Sequence, residues 1–85
     1  MIITNSILEQ LFEKDENTNP SETKSFNLNN MNLTNFLLND ATFTSIEYLS
    51  LQNNLLKNTN FLKHFPNLWY LDLRRNQVRR KIIYK

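Results

Sequence analysis

The chain has 85 residues, no cysteine, no glycine and a formal net charge of +2. This length limits it to one domain, and the lack of cysteine excludes disulfides and thiolate metal sites. The lack of glycine excludes a glycine-rich phosphate loop, and it leaves asparagine and aspartate to supply any left-handed turn.

The N-terminal segment predicts a short amphipathic helix over residues 4–14. Its apolar face has i, i+1, i+4, i+5 spacing and consists of Ile7, Leu8, Leu11 and Phe12. Two starts fit: Ser6 with Glu9 forms a capping box, whereas Thr4 as the cap lets Ile3 pack onto Leu8. We expect this helix to cover the first repeat. A partner-docking or membrane-surface helix is the alternative, but the polar face carries glutamates rather than a row of lysines.

The first residues also lack the basic segment of a signal peptide. No apolar run approaches the ~20 residues that a membrane span requires. We therefore expect a protein that is not secreted and that has no membrane partner. The polar residues 15–23, with Pro20 among them, predict a connecting loop.

A pattern of apolar residues and one asparagine recurs at an offset of 22 positions. The stretch IEYLSLQNNLL has it at 46, 49, 51, 54 and 56, and NLWYLDLRRNQV has it at 68, 71, 73, 76 and 78. A weaker copy, FNLNNMNL at 26–33, has Met31 in place of the asparagine. Alternation predicts a very short strand in each copy. A period in the twenties with this pattern is the signature of leucine-rich repeats.

Asn54 and Asn76 occupy the same place in their repeats, where the chain must turn out of the strand. An asparagine amide has donors and an acceptor for the backbone groups that the turn leaves unpaired. We therefore expect both side chains to be buried and hydrogen-bonded, in the manner of an asparagine ladder. The alternative is that they are turn residues facing solvent in an asparagine-rich chain.

The segments between strands predict the back of the molecule. In NTNFLKHFP, Phe61, Leu62 and Phe65 have helical spacing, and Pro66 ends the turn. The earlier segment supplies equivalent core residues, namely Phe36, Leu37, Leu38 and Phe43. His64, the single histidine, is expected at the surface. No nucleophile, metal-ligand cluster or phosphate loop is recognisable, so we expect neither enzyme activity, nor a metal, a cofactor or a small-molecule substrate.

These motifs resemble the 22-residue leucine-rich repeats of the protein-phosphatase-1-regulatory-subunit type. Ciliary, axonemal and dynein-arm assembly proteins, a spliceosomal protein and a tubulin-folding cofactor share this subclass. The resemblance implies an α/β solenoid with short parallel strands on the concave face and short helices or 3-10 turns on the convex face. It implies an N-terminal capping helix and loop at 1–24, two to three repeats at 25–78 and a basic C-terminal tail at 79–85. The chain departs from the family at Met31 and lacks the usual C-terminal cap.

Two expectations concern that C-terminal end. The last strand, Tyr70 to Leu73, should have an unpaired edge that invites another chain. The segment RRKIIYK is too short for a cap unless it folds across this strand, and a solubilising, partly disordered tail is the simpler reading.

The resemblance implies protein binding on the concave face and no catalysis. Strand positions between the leucines should point outward there, and the candidate partner-binding residues are Tyr48, Ser50, Gln52, Tyr70, Asp72, Arg74 and Arg75, with Asn27, Asn29 and Asn53 beside them. Tyr48 and Tyr70 should stack side by side. Tyrosine and arginine are enriched at binding hot spots, although an ordinary solvated strand face is the alternative.

Charge is divided along the chain. Residues 1–50 hold seven acidic and two basic residues, whereas residues 51–85 hold one acidic and eight basic residues. Such a basic end attracts an acidic partner. We expect a cytoplasmic scaffold or assembly factor, and the resemblance implies a setting in the cilium or another part of the cytoskeleton. An RNA-complex component of spliceosomal type and a regulator of protein phosphatase 1 are the alternatives.

Overall fold

The computed structural model describes residues 1–14 and 24–84, with side chains described for residues 1–11 and 24–83. The elements in chain order are β1 (Ile2–Thr4), α1 (Asn5–Lys14), β2 (Ser25–Asn27), β3 (Asn35–Leu37), β4 (Tyr48–Ser50), a 3-10 helix (Asn60–His64), β5 (Tyr70–Asp72) and β6 (Ile82–Tyr84). The predicted loop at 15–23 and the side chain of Phe12 lie outside the described residues.

The N-terminal helix begins after Thr4. The Ile7 amide donates to the Thr4 hydroxyl at 3.4 Å, so the Thr4 start is the one adopted. Ile3 and Leu8, which flank this cap at staple positions, are both buried. Strand β1, which the sequence did not predict, precedes the helix and pairs in parallel with β3.

The main sheet has the order β2-β4-β5-β6, and its first three strands are parallel. Phe26 lies opposite Leu49, and Leu49 lies opposite Leu71, all three buried on the inner face. Tyr48 is paired with Tyr70, 22 residues further along the chain. Each copy of the sequence pattern therefore contributes one short strand to the sheet.

The core continues behind this sheet as one apolar cluster. Its aliphatic members include Leu28, Leu33, Ile46, Leu51, Leu56, Leu68, Leu73 and Val78. These are pattern positions of the three copies. Burying one large aliphatic side chain contributes about 1.5–3 kcal/mol, and a strand of three residues cannot bury such side chains without its neighbours.

Asn54 and Asn76 bond across successive copies, which confirms the predicted hydrogen bonding of both side chains, whereas the predicted burial is complete only for Asn54. The Asn54 oxygen accepts from the Met31 and Leu33 amides, both at 3.0 Å, and its nitrogen donates to Leu28 O and Leu51 O at 2.9 and 3.0 Å. The Asn76 oxygen accepts from the Leu56 amide at 3.0 Å. Its nitrogen donates to Leu51 O and Leu73 O at 2.7 and 3.0 Å. Asn54 is buried and Asn76 is half-buried.

In each of the three copies, the residue before Met31, Asn54 or Asn76 has a left-handed backbone conformation. Asn30, Asn53 and Arg75, at equivalent places in the three copies, have φ values of 60°, 57° and 63°. Asn32 and Asn39 are also left-handed. Asparagine fills these positions as the absence of glycine predicts, except at Arg75, where a long side chain takes a conformation that it disfavours.

The segments opposite the main sheet pack through aromatic rings. The Phe36 and Phe61 ring centroids are 4.8 Å apart, and those of Phe43 and Phe65 are 5.5 Å apart. Leu37 does not join this core, because it alternates outward in β3 and is 59% exposed.

The surface position expected for His64 is wrong. The side chain is buried, and its Nδ1 lies 2.8 Å from the Ala41 carbonyl oxygen, to which it donates in the tautomer that carries the proton on Nδ1. The Phe43 amide donates to His64 O at 2.8 Å, so this residue joins two back segments.

The expected open edge at Tyr70–Leu73 is also wrong. Strand β6 returns antiparallel to β5, with Ile83 opposite Leu71, and the Leu73 amide donates to Lys81 O. Ile83 packs against the core. The C-terminal residues 82–84 thus form a strand that occupies the edge, rather than a disordered tail.

We expect Asn54→Ala to lower the free energy of unfolding by about 3 kcal/mol or more, since several buried backbone groups lose partners at about 1–3 kcal/mol each. Asn76→Ala, at a half-buried site, should cost less. Urea denaturation measures both. The exposed neighbour Gln77→Ala is the control and should stay within about 0.5 kcal/mol of wild type. A cost for Asn54→Ala no larger than that of Gln77→Ala would contradict the ladder.

We expect Arg75→Asn to stabilise the protein by about 0.5–1 kcal/mol, because asparagine tolerates the left-handed backbone better than arginine. The matched control is Arg79→Asn, which removes the same charge from the same turn at a position without positive φ. Thermal melts compare the two variants. Equal melting temperatures would show that the conformation of residue 75 costs nothing.

Candidate functional site

The outer face of the main sheet carries an aromatic cluster at the N-terminal ends of β4 and β5. The Tyr48 and Tyr70 rings lie side by side as expected, with centroids 6.2 Å apart. Trp69 adds its ring edge-on to Tyr48, with centroids 4.6 Å apart. Tyr48 and Trp69 are 38% and 40% exposed. We call Tyr48, Trp69 and Tyr70 the aromatic cluster.

Sequence reasoning did not find Trp69. Alternation from Leu71 would place residue 69 on the inner face with the leucines, but Trp69 precedes β5 and is not bound by that alternation. The Trp69 and Tyr70 amides both donate to Glu47 O, at 3.0 and 3.1 Å, and this shared bond marks the place where β5 begins. The signal available in the sequence was the adjacent pair of aromatic residues.

The middle of the outer face is a connected row of polar side chains. The Asn29 oxygen accepts from the Ser50 hydroxyl at 2.8 Å and from the Gln52 amide at 2.7 Å. The Gln52 side chain donates to Asp72 at 2.6 Å. The Asn27 oxygen accepts from the Asn29 amide at 2.9 Å. These bonds connect the ends of β2, β4 and β5 on the side of the sheet away from the core. Ser50 and Gln52 therefore stabilise the outer face in addition to forming part of its surface.

Asp72 is not exposed as predicted. It is only 3% exposed, beneath Arg74 and Gln52, and therefore has little surface to offer a partner. Arg74 clasps it with two nitrogens: Nη2 lies 2.8 Å from one oxygen, and Nε lies 3.0 Å from the other. The guanidinium of Arg74 holds the pKa of the Asp72 carboxyl below its ordinary value, against the opposing effect of burial. Asp72 acts here as a positioning anchor for Arg74.

The opposite end of the face is strongly basic. The segment 74–81, which joins β5 to β6, carries Arg74, Arg75, Arg79, Arg80 and Lys81, all exposed. We call these five residues the basic turn. Lys81 donates from its Nζ to Asn76 O at 2.7 Å, which folds the turn back on the ladder asparagine. No acidic residue occurs after Asp72 in the sequence.

Two depressions adjoin the aromatic cluster. An open groove of about 240 Å³ runs along β2 and β4, and its side chains belong to the outward-facing Ser25, Asn27, Tyr48, Ser50 and Tyr70. Phe26 and Leu49 point to the core, so they contribute only backbone to it. A smaller apolar cavity of about 50 Å³ lies under Trp69 and Tyr70 and is closed on one side by Ile83. The aromatic cluster thus lies between the open groove and the smaller apolar cavity.

The described residues contain no group of three or more histidine, cysteine, aspartate or glutamate side chains that could hold a metal ion. Within the same part of the chain, none of the helical segments has the length and apolar character needed to cross a membrane.

Comparison of the chain with protein-family models, with curated proteins and with solved structures gave no match.

We expect stability to fall as the pH drops below about 5, because Asp72 has a lowered folded-state pKa and its contribution is lost when the carboxylate is protonated. Arg74→Gln should reduce this dependence by bringing the folded and unfolded pKa values closer together. Urea unfolding across a pH series measures it. Arg79→Gln, which removes another arginine from the same turn, should retain the wild-type profile. Identical profiles for both variants would contradict the role of Arg74.

Proposed function

We propose that the chain is an α/β solenoid module of leucine-rich-repeat type. The parallel registers that join Tyr48 to Tyr70 and Ser25 to Tyr48 support this proposal. So do the hydrogen bonds of Asn54 and Asn76 to the preceding turns. In this proposal α1 and β1 cover the N-terminal end of the repeats, and β6 covers the other end.

The proposed function is protein binding on the outer face of the main sheet, in a scaffolding or assembly role. The observation that carries it is the aromatic cluster, because Tyr48 and Trp69 remain substantially exposed while their rings are held against each other. Tyrosine, tryptophan and arginine dominate binding hot spots. Rings fixed before binding lose little further conformational entropy when a partner covers them.

The contact surface that we propose comprises Tyr48, Trp69, Tyr70, Ser50, Gln52, Arg74 and Arg75. Asp72 takes part through Arg74. The proposed setting is the cytoplasm, with the cilium or axoneme as a narrower proposal that follows from the family resemblance alone. We propose no catalytic step and no cofactor for this face.

An affinity comparison tests the function. The wild-type chain and the double variant Tyr48→Ala, Trp69→Ala are immobilised and exposed to lysate of the native cells, and bound proteins are quantified by mass spectrometry. Hot-spot truncations typically cost about 2 kcal/mol or more, so proteins that use this face should be depleted by more than about tenfold.

The matched control is the double variant Leu37→Ala, Leu55→Ala. These leucines are also exposed, at 59% and 43%, but lie outside the aromatic cluster. The control should retain the proteins that the aromatic variant loses, and circular dichroism should show that both variants are folded. Loss of the same proteins from both variants, or from neither, would refute binding through the aromatic cluster.

A further inference from the structure

The outer face has two chemically different ends. The aromatic cluster stands where β4 and β5 begin, and the basic turn follows where β5 ends. Because β6 runs antiparallel to β5, with Ile82 opposite Asp72, Arg79, Arg80 and Lys81 return to the same end as Arg74 and Arg75. Cations and aromatic rings are therefore separated along the strand direction.

Among the described residues, the ion pair that involves the basic turn joins Arg74 to Asp72. The sequence from 73 to 85 contains no acidic residue. Arg75, Arg79 and Arg80 are exposed at the surface of the basic turn. A cluster of exposed cations such as the basic turn raises the local concentration of anionic partners and accelerates their association with the protein.

The aromatic end supplies a complementary apolar seat. The rings of Tyr48 and Tyr70 form the apolar side of the open groove of about 240 Å³, and Ser25, Asn27 and Ser50 complete it. A groove with an aromatic side and polar strand residues around it accepts one apolar side chain while leaving the peptide backbone close to the sheet.

The spacing between the two ends defines what can reach both. From Tyr70 to Arg74 the chain advances at most about 13 Å, because β5 ends at Asp72, and crossing from β4 to β6 adds about 10 Å sideways. The diagonal is thus at most roughly 16 Å, which an extended chain covers in about five residues at about 3.3 Å each.

Building on the proposed protein-binding function, we propose that this face binds an extended acidic peptide segment of another protein. One apolar side chain of the segment occupies the groove beside Tyr48. Glutamates or aspartates about five residues away contact the basic turn. Asp72 keeps Arg74 oriented between these two contacts.

A single-stranded RNA fits the arrangement less well. Sequence-tolerant RNA binding uses aromatic faces on which bases stack, set among cations that follow the backbone. Here the Tyr48 and Trp69 rings contact each other edge to face at 63°, and the cations lie at the other end of the strands. RNA is therefore an outcome of the test rather than the proposed ligand.

Fluorescence anisotropy with synthetic peptides tests the proposal. The probe is a labelled peptide with one phenylalanine, a glycine-serine spacer of about five residues and a run of glutamates, made in both chain directions because the face fixes the spacing and not the polarity. Comparison peptides replace the glutamates by lysines or the phenylalanine by serine. A labelled single-stranded RNA is titrated in parallel.

Two pairs of protein variants assign the contacts. Arg79→Glu with Arg80→Glu should weaken binding of the acidic probe by about tenfold or more and strengthen binding of the lysine peptide. Lys57→Glu with Lys63→Glu makes the same charge change at exposed residues outside the basic turn, and should alter affinity by less than about threefold at physiological salt. Tyr48→Ala should weaken the probe by about tenfold, to the level of the serine peptide.

Each remaining outcome overturns the proposal in an identifiable way. An equal loss of affinity for the acidic probe in the two glutamate double variants would mean that only the net charge of the protein matters. An unchanged affinity in Tyr48→Ala would exclude binding of an apolar side chain in the groove. Tighter binding of RNA than of the acidic probe would identify a nucleic-acid ligand. Failure of the probe while cellular proteins still depend on the aromatic cluster would refute the acidic peptide and leave protein binding intact. Failure of both would refute protein binding itself.

Discussion

The buried amide of Asn54 is the interaction on which the arrangement of the chain depends. A strand of three residues that is followed by a sharp turn leaves backbone groups that no sheet partner reaches. Asn54 satisfies the Met31 and Leu33 amides of the preceding copy and the Leu28 and Leu51 carbonyls at once. Each copy is therefore held to the one before it by directional bonds as well as by apolar packing, and Asn76 repeats the arrangement.

The fixed spacing of successive strands has a consequence for the outer face. Side chains at equivalent positions are brought next to each other, which explains why Tyr48 meets Tyr70. Asp72 pairs with Ser50, and Gln52, two residues further along, reaches Asp72 diagonally across the two strands. Asp72 then orients Arg74 at the edge of the basic turn. The same register that builds the core thus places rings at one end of the face and cations at the other.

The pattern of the sequence predicts the features that depend on spacing. The offset of 22 positions gives the register of β4 on β5, and the shared asparagine gives the bonds of Asn54 and Asn76. Features that depend on a particular tertiary partner were missed. Alternation puts Asp72 on the outer face but does not show that Gln52 and Arg74 cover it. Likewise, the contact of His64 Nδ1 with Ala41 O and the pairing of β6 with β5 join residues that no local pattern brings together.

Hydrogen exchange of individual amides measured by NMR tests the asparagine ladder most directly. The Leu33 amide is bonded to the buried Asn54 side chain, whereas the Asn60 amide is bonded to the exposed Asn58 side chain at a similar distance, 3.0 against 3.1 Å. If the ladder holds the copies together, Leu33 should exchange only by global unfolding and Asn60 by local opening. Equally fast exchange at Leu33 and Asn60 would contradict the account, because the amide of Asn54 would then stabilise no more than a surface turn.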